Sequence, residues 1–186
     1  MKLYIKYMVS FRCKMLVQEK LRKLGIAYEN VELGEVEISE NISTEKLYKF
    51  KSALLTLGLE LIEDKKAILI EKIKNVIVEM VHYSDEVPDT NNSNFLSEKL
   101  NHNYRHLAKI FSEGTGDTIE HYIIAQKIEK IKEFLSYNEL NLTEISYRLN
   151  YSSVAHLSYQ FKKFTGLTPT RFKSLHSNHR TPLEKV

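Results

Sequence analysis

One passage of this chain is written twice. FSEGTGDTIEHYI at residues 111–123 and FKKFTGLTPTRFK at 161–173 align at an offset of 50, so that Phe111, Thr115, Gly116, Thr118 and Tyr122 meet Phe161, Thr165, Gly166, Thr168 and Phe172. The match extends upstream: Leu96 pairs with Ile145, Leu100 with Leu149, Asn101 with Asn150 and Leu107 with Leu157. The offset changes from 49 to 50 inside the turn, which gives one unit an extra loop residue. A chain of 186 residues that repeats such a stretch uses one supersecondary unit twice.

Each copy reads as a short helix ending at Leu-Asn, a turn of three or four residues, and a second helix opened by a capping side chain, Asn103 or Ser153. That is a helix-turn-helix. In the second helix Leu107, Ile110 and Phe111, echoed by Leu157 and Phe161, fall at i, i+3, i+4 spacing and face the unit's own core. The residues left outside are Arg105, His106 and Lys109 in the first copy, and Ala155, His156, Tyr159, Lys162 and Lys163 in the second. Donors and flat rings of this kind read base edges from a helix in the major groove, with Lys and Arg neutralising phosphate. A connecting helix from Thr118 to Tyr137 would set the two second helices one turn of DNA apart, about 34 Å, when both face one side.

Charge follows the same division. Residues 1–94 hold 14 Lys+Arg against 15 Asp+Glu, and residues 95–186 hold 13 against 9, so the halves carry −1 and +4. Six of the seven His also lie in the second half, and this asymmetry favours a polyanionic partner there. Charges at Lys2, Lys6, Arg12 and Lys14 interrupt any leader-like apolar run, and no segment approaches the ~18 apolar residues of a membrane span. The lone Cys13 forms no internal disulfide and is one metal ligand at most, which fits a reducing, cytoplasmic location.

The polar stretch SDEVPDTNNSNF at 84–95 reads as a linker. Ahead of it, KLYIKYM alternates with period two, and a helix with Met15, Leu16, Leu21 and Leu24 on its apolar stripe stops at Gly25. YENVELGEVEIS reads as a bent strand pair around Gly34; Ser43 opens a second helix that stops at Gly58; LELIED is a short strand. The order β-α-β-β-α-β is the ferredoxin-like split βαβ arrangement. Residues 67–83 then form an amphipathic helix with Ile70, Ile73, Ile77, Met80 and Val81 on one stripe, which packs on its own sheet or serves a dimer or interdomain contact.

At the duplicated units, residues 95–175 resemble the DNA-binding domain of the AraC/XylS family of bacterial transcription regulators. LTEISYRLNYSSVAHLSYQFKKFTGLTPTRFK follows that family's signature, with Ser146 where Ala is usual, Asn150 where Gly is usual and Ile131 where the connecting helix usually has Ala. Asn tolerates the left-handed conformation that the Gly supplies. The resemblance implies that Arg105, His106 and Lys109 are the main base-reading set and that Ala155, His156 and Tyr159 meet the second groove, and the cap residues Asn103 and Ser153 are counted with them as DNA-binding candidates. Arg148, Lys162, Lys163, Arg171 and Lys173 give the second unit the larger share of phosphate affinity.

The first module resembles the heavy-metal-associated domain, whose motif is M-x-C-x-x-C. Met8 and Cys13 of MVSFRC match, but Ser10 replaces the first Cys, and a hydroxyl is a poor ligand for a soft cation such as copper(I). Cys13 is therefore a weak metal candidate, and the favoured reading packs Met8 in the core with Cys13 a small, partly buried residue. There is no G-x-S-x-G elbow, no HExxH and no Gly-rich phosphate loop, and His102 with His106 lacks a third ligand at metal spacing.

The sequence thus predicts an α+β ferredoxin-like domain with an extra C-terminal helix (1–83), a linker (84–94), an all-α domain of two helix-turn-helix units joined by a long helix (95–178), and a tail (179–186). The expected function is that of a DNA-binding transcription regulator, an activator rather than an enzyme, with no cofactor. Double-stranded DNA is the expected partner, with RNA polymerase contact, effector sensing or homodimerisation as roles for the first module. The alternative is a metal- or small-ligand-binding module whose helical half mediates protein contacts.

Overall fold

The computed structural model describes residues 1–39, 41–84, 91–137, 140–175 and 183. Four strands, β1 (Lys2–Lys6), β2 (Tyr28–Glu32), β3 (Glu35–Ile38) and β4 (Glu60–Ile62), form an antiparallel sheet in the order β2-β3-β1-β4. The register aligns Leu3 and Val31 with Val36, and Ile5 with Leu61, so one face is apolar. On the other face Lys2 stands opposite Glu37 and Lys6 opposite Glu60, pairing unlike charges across strands. Helices α1 (Phe11–Lys23) and α2 (Thr44–Leu55) contribute Val17, Leu21, Phe50 and Leu54 to a core shared with Ile5, Val31, Val36, Ile38 and Leu61.

Local chemistry sets these elements. The Ser10 and Ser43 hydroxyls each accept from the amide three residues on, at 3.3 Å, and cap the two helices. Lys20, Arg22 and Lys23 crowd the last turn of α1, where cations complement the helix dipole. Met8 is fully buried and Cys13 partly buried, both against the sheet core.

Helix α3 (Lys65–Val78) is capped by Asp64 and continues as a π-helical turn, Glu79–Tyr83. Its stripe does not pack on the sheet and is not free for a dimer. Ile73, Ile77 and Val81 are buried in one core with Leu96, Leu107, Phe111, Ile119 and Tyr122 of the C-terminal helices, and Leu69, Ile70, Val76 and Met80 pack against it. At about 1.5–3 kcal/mol for each fully buried side chain, this face is the larger contribution to where α3 docks.

The sheet holds the opposite side of α3 through polar groups. Tyr7 N–H points to the buried Glu71 carboxylate at 3.4 Å, and the buried Asn75 amide donates to Leu33 O at 3.2 Å. Lys72 lies 4.7 Å from the centre of the Tyr4 ring and 3.4 Å from Glu35. Both backbone grips sit at or beside left-handed residues, Tyr7 (φ 67°) and Gly34 (φ 74°). Beyond the sheet attachment, Tyr83 O–H donates to Val9 O at 2.9 Å, and His82 Nε2 lies 2.9 Å from Gln126 Oε1.

The rest is helical: α4 (Asn92–Leu100), α5 (Tyr104–Thr115), α6 (Ile119–Tyr137), α7 (Leu142–Arg148), α8 (Val154–Thr165) and α9 (Pro169–Ser174). The expected linker falls largely on residues 85–90, outside the described residues, and α4 already begins at Asn92, inside the expected range. The expected tail also lies outside them, apart from residue 183. Among the described residues no helix is long and apolar enough to cross a membrane.

A Cβ on Gly34 would sit 2.0 Å from Asn75 Nδ2, and Asn75 is buried. Gly34→Ala therefore combines left-handed strain with a broken buried hydrogen bond, and is expected to lower the unfolding free energy by about 2–4 kcal/mol in urea titration.

Candidate nucleic-acid interface

The doubled passage is a corner that turns one helix into the next. At the end of α5 the Thr115 hydroxyl donates to Phe111 O (2.7 Å), Gly116 takes φ 75°, and Thr118 Oγ1 accepts from His121 N (3.1 Å) to start α6. At the end of α8 the Thr165 hydroxyl donates to Phe161 O (2.8 Å), Gly166 takes φ 79°, and Thr168 Oγ1 accepts from Arg171 N (3.3 Å) to start α9. Phe111 meets Tyr122 at 5.6 Å and Phe161 meets Phe172 at 5.5 Å between ring centres. Glycine is required at the left-handed cap, threonine on both sides of it, and an aromatic pair closes the angle. The burial pattern of 104–122 recurs position for position in 154–172.

The turns before these helices are also copies. Asn101 and Asn150 adopt φ 52° and 53°. In the first turn Asn101 N donates to Glu98 O and His102 N to Ser97 O; in the second Asn150 N donates to Tyr147 O and Tyr151 N to Ser146 O. These paired bonds satisfy the last carbonyls of α4 and α7. Asn150 thus supplies the left-handed residue in place of Gly, as expected. Ser146, in the usual Ala position, is buried with its hydroxyl donating to Thr143 O at 2.8 Å, and Ile131 is fully buried in the shared core. The extra loop residue lies between Tyr151 and Ser153 and is Ser152.

The caps fix what the second helices present. Asn103 Oδ1 accepts from Arg105 N at 2.9 Å and Ser153 Oγ from His156 N at 3.0 Å, so these oxygens, assigned to DNA on the sequence, serve the helix starts. Arg105, His106 and Lys109 are exposed on α5; Ala155, His156, Tyr159, Lys162 and Lys163 are exposed on α8, and Arg171 on α9. Tyr159 shows 69% of its surface. Lys109 lies 3.8 Å from Glu113, whereas among the described residues no ion pair engages Arg105, Lys162, Lys163 or Arg171. Two carboxylates of the first unit have partners: Glu120 accepts from Tyr104 O–H, and Asp117 lies 2.6 Å from His121 Nδ1. Desolvation pushes the Asp117 carboxyl up, but the hydrogen bonds from His121 and the Thr118 amide and the charge attraction of His121 together outweigh it, and the net direction is down.

Three positioning residues gave little sign in the sequence. Lys127, on α6, donates to Leu149 O at 2.7 Å and covers the Tyr151 ring, and its burial lowers its pKa. Tyr151 donates to Gln160 Oε1 at 2.6 Å, with burial raising its phenol pKa. Phe164 of α8 stacks near His121 of α6 at 5.1 Å, joining the two copies. A lysine on a mixed helix face and a tyrosine in a turn look like surface residues until the partner element is known. Near the first module's metal-like motif, Ser10 Oγ lies 3.2 Å from Cys13 Sγ while capping α1.

Residues 96–174 match the model of a family described as a helix-turn-helix domain. Among curated proteins, an uncharacterized HTH-type transcriptional regulator of Staphylococcus aureus (strain MSSA476) is 33% identical over 78 residues, 42% of this chain and 10% of the relative. The Msm operon regulatory protein of Streptococcus mutans serotype c is 26% identical over 152 residues, 80% of this chain and 52% of the relative. Among solved structures, the C-terminal domain of AraT, a response regulator from Geobacillus stearothermophilus, has a TM-score of 0.51 at 22% identity, covering 63% of this chain and 95% of that one. The chain spans a tenth of the length of the staphylococcal relative (10%) and half of the streptococcal one (52%). Over residues 96–174 the chain is therefore similar to helix-turn-helix domains.

The left-handed turn yields a test. Asn150→Gly is expected to leave thermal stability unchanged or slightly raised, whereas Asn150→Val should lower it by about 1–2 kcal/mol, because a β-branched residue is strained at positive φ.

Proposed function

We propose that this chain is a sequence-specific transcription regulator, acting as an activator, that lays α5 and α8 in successive major grooves of double-stranded DNA. The observation that carries the reading is the repeated burial pattern of 104–122 and 154–172, which leaves Arg105, His106 and Lys109 on one helix and Ala155, His156, Tyr159, Lys162 and Lys163 on the other facing water. The core explains why Leu107, Phe111, Leu157 and Phe161 are buried; it gives no reason for a histidine at both 106 and 156 or for the cations and the tyrosine exposed beside them. Recognition of phosphate and base edges does.

In this reading the two helix pairs are helix-turn-helix units, α6 is the rod between them, and Arg105, His106 and Lys109 read bases. Ala155 offers a methyl to thymine, His156 and Tyr159 reach the second groove, and Lys162, Lys163 and Arg171 hold phosphate. The first module is a ferredoxin-like split βαβ unit, a reading supported by its element order and by β3 lying between β1 and β2. Its roles are effector sensing, RNA polymerase contact or dimerisation through a surface other than the α3 stripe.

The test is fluorescence anisotropy on a duplex selected by the protein from random DNA. Affinity should fall steeply between low and physiological salt, and Lys162→Ala and Lys163→Ala should each reduce the slope of log affinity against log salt by about 1. Arg105→Ala should narrow the gap between cognate and scrambled duplex by about 1–3 kcal/mol. Salt-insensitive binding, or full discrimination by the Arg105 variant, defeats the assignment.

A further inference from the structure

Four departures from the repeat meet at the first turn of α6. At the offset of 50, Tyr104 stands against Val154, Glu120 against Thr170, His121 against Arg171 and Gly114 against Phe164. Tyr104, the first residue of α5, donates its hydroxyl to Glu120. The next residue, His121, places its ring beside Phe164 in the last turn of α8, with 5.1 Å between ring centres and 33° between planes. Consecutive residues of a helix point about 100° apart, so one turn of the rod reaches both proposed reading helices. The imidazole is itself steadied: Thr118 N donates to Asp117 Oδ1 at 2.7 Å, and Asp117 Oδ2 lies 2.6 Å from His121 Nδ1.

Neither contact is a product of the duplication, because Val154 has no hydroxyl to offer Thr170 and Gly114 has no ring. Glu120, His121 and Phe164 are exposed, so the core does not require them. Glu120 and Asp117 also oppose a polyanion at long range, and holding the two reading helices gives them a role that phosphate binding does not. Building on the DNA-binding reading above, we propose that Tyr104, Glu120, His121 and Phe164 are positioning residues that brace α5 and α8 against the rod, so that the protein accepts one spacing between its half-sites. Apolar burial decides which helices touch, but it is undirected and leaves the helix ends to be fixed by directional contacts. One base pair added between half-sites moves the second by about 3.4 Å along the duplex and about 35° around it. A braced pair of helices cannot follow that shift, and a loosened pair absorbs part of it. The four residues touch no base in this reading; they select the distance between the bases read.

Sequences enriched from random DNA by the wild type define the half-sites, and fluorescence anisotropy then compares duplexes of the enriched spacing with duplexes one base pair longer or shorter. The wild type should lose about tenfold or more in affinity on either change, the size of at least one lost base contact. Phe164→Ala and Tyr104→Phe should each reduce that loss to about threefold or less, while Phe164→Tyr, which keeps the ring, should retain the wild-type ratio. Base preferences inside each half-site should stay as in the wild type. A merely structural role would weaken binding at every spacing by one factor, and an unchanged spacing ratio in either Phe164→Ala or Tyr104→Phe overturns the proposal. So does a wild type that binds the three spacings alike or enriches one half-site alone, results that leave DNA binding standing. If the wild type enriches no sequence at all, the DNA-reading function falls and this inference with it.

Discussion

The arrangement of the molecule depends on α3 being buried from two sides by different forces. Its Ile73, Ile77 and Val81 stripe belongs to the helical core, and its Glu71 and Asn75 side is held by backbone groups of the sheet. Apolar burial is undirected and decides that α3 lies against α4, α5 and α6. The buried polar contacts are directional and decide where along α3 the sheet sits, since a displaced Asn75 or Glu71 would be left without its partner. The close approach of Gly34 to Asn75 and of Gly114 on α5 to Ile70 marks the two sides of this contact. The same helix that meets the β2–β3 turn therefore touches the first proposed reading helix.

Within the helical part, what the sequence repeats is a set of constraints, not a surface. Threonine, left-handed glycine, threonine and an aromatic pair recur because they turn the chain through the same angle twice. The outer faces are where the copies diverge: Arg105 against Ala155, Lys109 against Tyr159. Selection for folding holds the corner, and nothing in the core holds the outer face.

Much of this was legible beforehand. Period-two stretches around Gly34 and stops at Gly25 and Gly58 located the strands and helices of the first module, because turn chemistry is local. The left-handed Asn101 and Asn150, the caps at Asn103 and Ser153, and the inserted loop residue were visible from the internal alignment. The destination of the α3 stripe was not. An amphipathic pattern states that one face must be covered but does not name the cover, and the sheet and the helical module were both candidates. Nor did the sequence distinguish Glu71 and Asn75 from surface residues, since a buried polar group is recognisable only once its partner is placed. The pairing of Lys109 with Glu113 and the contact of Ser152 with His156 span one helical turn, yet both depend on side-chain direction, which spacing alone leaves open.

The identical burial of the two copies has an evolutionary consequence. Since neither exposed face supports the framework beneath it, the two can drift separately; under the proposed function, a promoter can change one half of its site while the other half keeps its reader. A dimeric protein, with one gene encoding both heads, would have to alter both halves together. Under the proposed function, the tandem duplication in a single chain frees the operator from palindromic symmetry.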